Sequence, residues 1–296
     1  MTIVRGAVLA AALLTGASVM PGVAGASENG SAGVQQSSTP SACSTVQKNH
    51  SALAGKTITI GTDPEEAPFE SIDSSGKPVG FDIDLAQEVM ACLGTKYTLD
   101  QVKFAGLIPA LQAGHIQAVM SSIVATPARL KVVNFVGYLR QQEGLLVLKG
   151  NPLHLTSINS LCGHSVSVFP GSLELAFVQA EGPVCVKMGK KPPVTAVFDN
   201  LVATVQAIIQ GRAQVSIFPP PYSVQAEQAN PGKLENTPVI PAFNSIVGVA
   251  VPKTSKSLET GLYDALKVIQ ASGDEAKLMK KWGITANLAQ PTKKLS

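Results

Sequence analysis

Arg129 stands in the stretch Ala118–Phe135, where its one charged neighbour is Lys131. Just before it an apolar run ends in two hydroxyls, Ser121 and Ser122, and Thr126-Pro127 follows. Thr suits a helix N-cap and Pro the first helical turn. The stretch therefore reads as a strand, a hydroxyl-bearing loop and a helix start. The free N–H groups and positive dipole end of such a start favour an anion. A guanidinium beside it adds a planar, two-pronged donor for a carboxylate. The competing reading makes Arg129 half of a surface ion pair. A second helix entrance of this kind, Pro170-Gly171-Ser172, follows another apolar strand.

Other chemistry finds less support. The four cysteines, Cys43, Cys92, Cys162 and Cys185, form no CxxC pair and no cluster with the four histidines, so no metal or cofactor is expected. An even count in an exported chain favours disulfides. Three pairings are possible, and locality favours Cys43–Cys92 with Cys162–Cys185. Net charge is +3, with 15% charged and 5% aromatic residues. No basic run is interleaved with aromatics, which argues against nucleic acid as a partner.

Residues 1–26 resemble a cleaved export signal: Arg5, an apolar run to Met20, then Ala24-Gly25-Ala26. Residues 27–55 are expected to be a flexible segment, its first part rich in Ser and Gly. Strands are predicted at 56–61, 97–102, 116–120, 165–169, 194–197, 215–218 and 245–251. Helical patterns cover 85–92, 107–113, 201–210, 258–269 and 274–282, and another begins near Ser172. Asp82 is a plausible cap for the first, and Pro219-Pro220-Pro221 breaks the order. Alternation with short connections indicates α/β architecture. Ala110–Val119 resembles Ala207–Ser216, each a helix stopped at Gly with a strand soon after, which suggests two lobes of similar design.

Five ordered pieces carry a family resemblance: Ile60-Gly-Thr-Asp-Pro with Ala67-Pro-Phe-Glu, Gly80-Phe-Asp-Ile-Asp-Leu-Ala, Leu107-Ile-Pro-Ala-Leu with Gly114, Ser121-Ser with Thr126-Pro-Ala-Arg129, and Lys281-Trp-Gly. Together they resemble the periplasmic amino-acid-binding proteins of ABC importers, solute-binding family 3, over about residues 55–285. The resemblance implies a two-lobed α/β periplasmic-binding-protein fold with a ligand cleft between hinged lobes. Lobe 1 would hold 56–144 plus 244–286 and lobe 2 would hold 145–243, with a loose tail at 287–296. Arg129 would hold the ligand carboxylate, helped by Ser122, Gly171 and Ser172. Asp63 would face the ligand's distal group and Phe104 would be an aromatic platform. Phe69, Ser121, Glu66 and Pro219 complete the expected lining.

Three positions depart from that pattern: Val124 for Ser or Thr, Glu66 for an aromatic, and Pro219 for the acid that pairs with the ligand's ammonium. Losing that acid removes a charge-assisted partner worth about 1.5–3 kcal/mol. The expected ligand therefore keeps a carboxylate for Arg129 but has its cationic or hydroxyl group read by Asp63 and Glu66. The implied protein is a periplasmic, monomeric carrier that delivers its solute to a membrane ABC permease. An alternative from another class is a prephenate or arogenate dehydratase on the same fold, with Glu174 or Glu66 as general acid.

Overall fold

Residues 41–296 are described in the computed structural model; the expected leader, 1–26, and residues 27–40 lie outside them. The first lobe begins with α1 (Ser41–Asn49), β1 (Thr57–Thr62), β2 (Ser71–Ile72), β3 (Pro78–Val79), α2 (Phe81–Leu93) and β4 (Lys96–Gln101). It continues with α3 (Phe104–Gln112), β5 (Ala118–Val119) and α4 (Pro127–Leu130), and then β6 (Val133–Leu148) leaves it. The second lobe holds β7 (Ser165–Val168), α5 (Leu173–Lys187), β8 (Val194–Val197), α6 (Leu201–Ile209), β9 (Val215–Phe218), α7 (Pro220–Ala229) and β10 (Leu234–Asn236). The chain returns through β11 (Ile240–Pro252) to α8 (Lys256–Ser272), α9 (Asp274–Lys281) and β12 (Ala289–Leu295).

Hydrogen bonding runs in the order β4-β1-β5-β11-β6-β9-β7-β8, with β10 and β12 also on β6. The 16-residue β6 is the shared member. Its first half pairs with β11 and β12, and from Gly144 onward it pairs with β9 and β10. In each lobe one strand has a parallel neighbour on either side, β1 between β4 and β5 in the first and β7 between β8 and β9 in the second. The internal repeat is visible at atomic level. Gln117 Oε1 accepts from Thr59 N at 2.9 Å, and Gln214 Oε1 accepts from Ser165 N at 2.8 Å. In both, a glutamine just after the Gly-stopped helix completes the neighbouring strand's start.

Apolar alternation supplies separate cores. Ile58, Ile60, Leu85, Val89 and Leu262 pack in the first lobe, and Leu145, Val166, Val215 and Ile217 pack in the second. Several expectations change here. Residues 41–53 are not flexible: α1 buries Cys43 and Val46, and Leu53 joins them in the first-lobe core. The tail 287–296 is not loose, because β12 pairs with β6 and Gln270 bonds both Gln290 O and Thr292 N. Pro220 and Pro221 start a helix rather than interrupt the order, since Pro has no N–H to lose in a first turn.

The disulfides are Cys43–Cys92 and Cys162–Cys185, one in each lobe. The first pins α1 to α2, and the second ties the segment before β7 to the end of α5. Replacing Cys162 and Cys185 by Ala should lower unfolding free energy by about 2–4 kcal/mol, read from denaturant curves whose slope steepens as the unfolded chain loses its cross-link.

Candidate functional site

Arg129 follows a one-turn helix start. Thr126 Oγ1 accepts from Arg129 N at 3.2 Å, and Pro127 takes the first helical position. With four residues, α4 is too short for the dipole role the sequence suggested. The guanidinium itself is what matters. Arg129 Nη1 donates to Val124 O at 2.7 Å, and Nη2 donates to Gly171 O in the opposite lobe at 2.9 Å. Its carbon lies 5.4 Å from the Phe104 ring centroid. These contacts fix the fork while leaving N–H groups for a ligand. Burial holds its pKa down to about 10, opposed by the nearby Glu174 carboxylate, so it stays charged at neutral pH.

The lobes are closed over one another. Phe104 meets Phe169 edge-on at 5.5 Å. At Gly171, with φ +78°, an added Cβ would stand 2.9 Å from Ala105 Cα. Only glycine tolerates both that conformation and that approach. Gly171→Ala should therefore weaken ligand binding about 10- to 100-fold by opposing closure, with a modest drop in the melting temperature of the ligand-free protein from the left-handed φ; native affinity by calorimetry would refute this.

Between the lobes lie two adjoining chambers. The inner one, about 20 Å³, is lined by Ser122, Val124, Arg129, Gln141, Leu173, Glu174, Phe218 and Pro219. The outer one, about 160 Å³, is lined by Asp63, Glu65, Glu70, Lys103, Ala105, Pro170, Asp199 and Asn200. Glu66, Phe104, Phe169 and Leu201 border both.

The first-lobe wall is built by hydrogen bonds from short loops. Ser121 Oγ accepts from Asp63 N at 2.9 Å and donates to Glu70 Oε1 at 3.0 Å. Asp63 Oδ2 accepts from Phe104 N at 2.9 Å. Ser122 has φ +43°, a left-handed conformation costly for a side chain with Cβ. Asp82 holds it there, accepting from Ser122 N at 2.6 Å and from Tyr138 OH at 2.7 Å. Asp82 is thus no helix cap: Gly80 occupies that position and Asp82 is buried behind the site.

Electrostatically the cleft is dominated by acids. Burial, with Glu174, Asp82 and Asp63 behind it, pushes the Glu66 carboxyl well up. Burial and the neighbouring Asp82 and Glu66 do the same to Glu70. Glu143, on β6, is raised by burial and by Glu174, and burial likewise raises Glu174 and Asp63. Asp82 is pushed up to about 6, chiefly by burial. Against them stand Arg129 and Lys103, and Lys103 is already paired with Glu65. Ser122 Oγ and Gln141 Oε1 in the inner chamber, and Glu70 Oε2 in the outer one, are buried without a hydrogen-bond partner among the described residues. The site is a set of acceptors with one guanidinium among them.

Of the residues expected from sequence, Arg129, Ser122, Glu66, Phe104, Asp63 and Pro219 line the chambers. Gly171 meets Arg129 through its carbonyl rather than its N–H. Ser172 caps α5, accepting from Leu175 N at 3.0 Å, and is buried. Ser121 is fully buried and positions Asp63 and Glu70. Phe69 is only 2% exposed, packs in the first-lobe core and lines neither chamber. Its alternation with Glu70 along the loop puts one inward to the core and the other toward the cleft. Sequence reasoning missed Glu70, Gln141, Glu143 and Phe169. Phe169, the last residue before Pro-Gly-Ser, was the most readable of these.

The profile of the bacterial extracellular solute-binding proteins, family 3, matches residues 58–285. The histidine-binding periplasmic protein of Escherichia coli K12 is 29% identical over 235 residues, spanning 78% of this chain and 89% of that protein. A probable ABC transporter arginine-binding protein of Chlamydia trachomatis serovar D is 28% identical over 232 residues, covering 76% and 85% respectively. The solved structure of an ancestral arginine-binding protein bound to arginine superposes with a TM-score of 0.70 at 30% identity, covering 78% of this chain and 99% of that one. These relatives are carriers, which sets the dehydratase alternative aside. The chain belongs to the bacterial extracellular solute-binding proteins, family 3: it is a periplasmic, non-catalytic component of ABC import that takes an amino-acid-like ligand between two hinged lobes.

Proposed function

We propose that the ligand is a cationic amino acid, bound extended across both chambers and handed to a membrane permease from the closed form. Its α-carboxylate meets the free N–H groups of Arg129, with Ser122 Oγ beside it. Its α-ammonium lies against Glu174, which lines the same chamber as Pro219 and compensates for the acid absent there. The side-chain cation reaches Glu66, Asp63 and Glu70 in the outer chamber, its stem lying against the Phe104–Phe169 pair that borders both chambers.

The observation that carries this reading is the imbalance of the cleft: five raised carboxyls around it and a single guanidinium to set against them. A neutral or acidic side chain would leave those acids facing each other in a low-dielectric space. A cation relieves the repulsion, and its several N–H donors satisfy the orphan acceptors. That two of the relatives compared bind arginine by name, one of them probably, and a third histidine is in keeping with it. Closure driven by ligand contacts to both lobes would present the permease with a distinct shape.

Calorimetry with arginine, lysine, ornithine, histidine, glutamine and glutamate tests the proposal. Cationic members are expected to bind at least about 100-fold more tightly than glutamate, and Glu66→Gln is expected to lose about tenfold or more for them. Preferential binding of glutamate or glutamine, unaffected by Glu66→Gln, would overturn it.

A further inference from the structure

The far end of the second lobe carries a feature that solute binding does not use. From Pro183 to Val194 the chain reads PVCVKMGKKPPV. It forms the last turns of α5 and the bend into β8. Val184, Val186, Met188 and Val194 are exposed by 42%, 60%, 45% and 59%, high values for large apolar side chains in one short segment. Lys187, Lys190 and Lys191 stand exposed among them. The Cys162–Cys185 bridge anchors the segment, and Gly163 approaches Lys191 Cβ across it. Neither of the two segments that meet here, 150–173 and 182–198, contains a single acid. The adjacent Glu181 is buried.

We propose that this knuckle is a docking surface for an anionic phospholipid bilayer. Apolar side chains among lysines, with no acid to repel or to pair, match an interface whose headgroups are negative and whose underlying layer is hydrocarbon. The lysine stems lie along apolar surface while their ammonium groups reach phosphates. The disulfide supplies a rigid presentation, so little chain entropy is lost on contact. A protein partner would more often be met by aromatic anchors and a mixture of donors and acceptors, whereas the exposed side chains of this segment are aliphatic or cationic, with no aromatic ring and no carboxylate among them.

The position is consistent with that role. Val194 pairs with Ser165 at the start of the parallel strands, whereas Phe169–Ser172 at their other end form the cleft wall. Docking through the knuckle leaves the cleft unobstructed and concentrates the carrier near the membrane. Two weak contributions, charge and shallow insertion, make the attachment reversible and salt-sensitive.

Co-sedimentation of the whole protein tests this, using vesicles of equimolar phosphatidylglycerol and phosphatidylcholine against phosphatidylcholine alone. Binding is expected to the anionic vesicles only, and to weaken steeply as salt is raised. Reversing Lys187, Lys190 and Lys191 to Glu should reduce partitioning about tenfold or more, and Val186→Ser with Met188→Ser should reduce it several-fold. Arginine affinity and melting temperature should be unchanged in both variants. No sedimentation with anionic vesicles, or sedimentation insensitive to both variants, overturns the proposal. So does capture by a permease in zwitterionic nanodiscs that depends on these lysines while vesicles fail to bind, because the partner is then a protein.

Discussion

Arg129→Ala is expected to lose ligand binding by about 100- to several-thousand-fold while the protein remains folded. Removing one partner of a buried, hydrogen-bonded charge pair costs about 3–5 kcal/mol, because the remaining charge stays desolvated. Here the loss is compounded, since the guanidinium is the cation facing Glu174 and it also links Val124 O to Gly171 O across the lobes. Arg129→Lys should recover little, as one ammonium cannot span two carbonyls and a carboxylate at once. Isothermal calorimetry with arginine reads the first effect, and thermal unfolding confirms the fold. Near-native affinity in Arg129→Ala would place the carboxylate elsewhere and end the proposed binding mode.

Raising pH from 5 to 8 is expected to act in opposite directions on the empty and loaded forms. Asp82 and Glu275 have folded-state pKa values pushed up to about 6 and 7, mainly by burial. Glu66, Glu70, Glu143 and Glu174 are shifted upward as well. A carboxyl whose folded pKa exceeds its unfolded value binds its proton more tightly in the native state. Its contribution is fully present below the unfolded pKa and lost as pH climbs through the folded one. Each shift is worth on the order of 3 kcal/mol in full, and the part lost between pH 5 and 8 is about 1–3 kcal/mol for each group. The ligand-free protein should therefore unfold at distinctly lower denaturant concentration at pH 8 than at pH 5.

Affinity for a cationic amino acid should rise over the same interval, because deprotonated Glu66, Glu70 and Glu174 attract it and protonated ones do not. Glu275, on α9 in the first-lobe periphery, enters the stability curve and not the affinity curve. Calorimetry in buffers of different ionisation enthalpy should register proton release on binding wherever these raised carboxyls are still protonated in the empty protein. Stability that increases with pH in the empty protein would contradict the assigned burial of these acids.

Much of this site was written in local sequence. Thr126-Pro127 announced a capped turn, and the turn delivers Arg129 to the cleft. Gly171 and the repeat glutamines, Gln117 and Gln214, likewise act through neighbours close in the chain or through one adjacent strand. What escaped was non-local. Asp82 looks like any first-turn acid until Tyr138, 56 residues away, and the strained Ser122 close around it. Glu70, Gln141 and Glu143 sit in loop or strand contexts where a solvated acid or amide is the ordinary outcome. Only the meeting of both lobes makes them cleft or hinge groups. β12 was illegible for a similar reason: AQPTKKL is polar and Pro-containing, and it becomes a strand because β6 offers an unpaired flank.

That flank has a practical consequence. β6 is shared by both halves of the molecule, and over Phe135–Leu139 the seven-residue terminal strand is all that covers one of its sides. Arg140, next along β6, grips Gln290 of that strand and Asn244 of the other crossing at once. A chain shortened by those seven residues would present bare amide and carbonyl groups beside apolar side chains, a ready template for strand addition by a second molecule. Dimers or larger species on a sizing column are the expected sign. Affinity handles and fluorescent reporters are therefore better placed so that β12 keeps its pairing with β6.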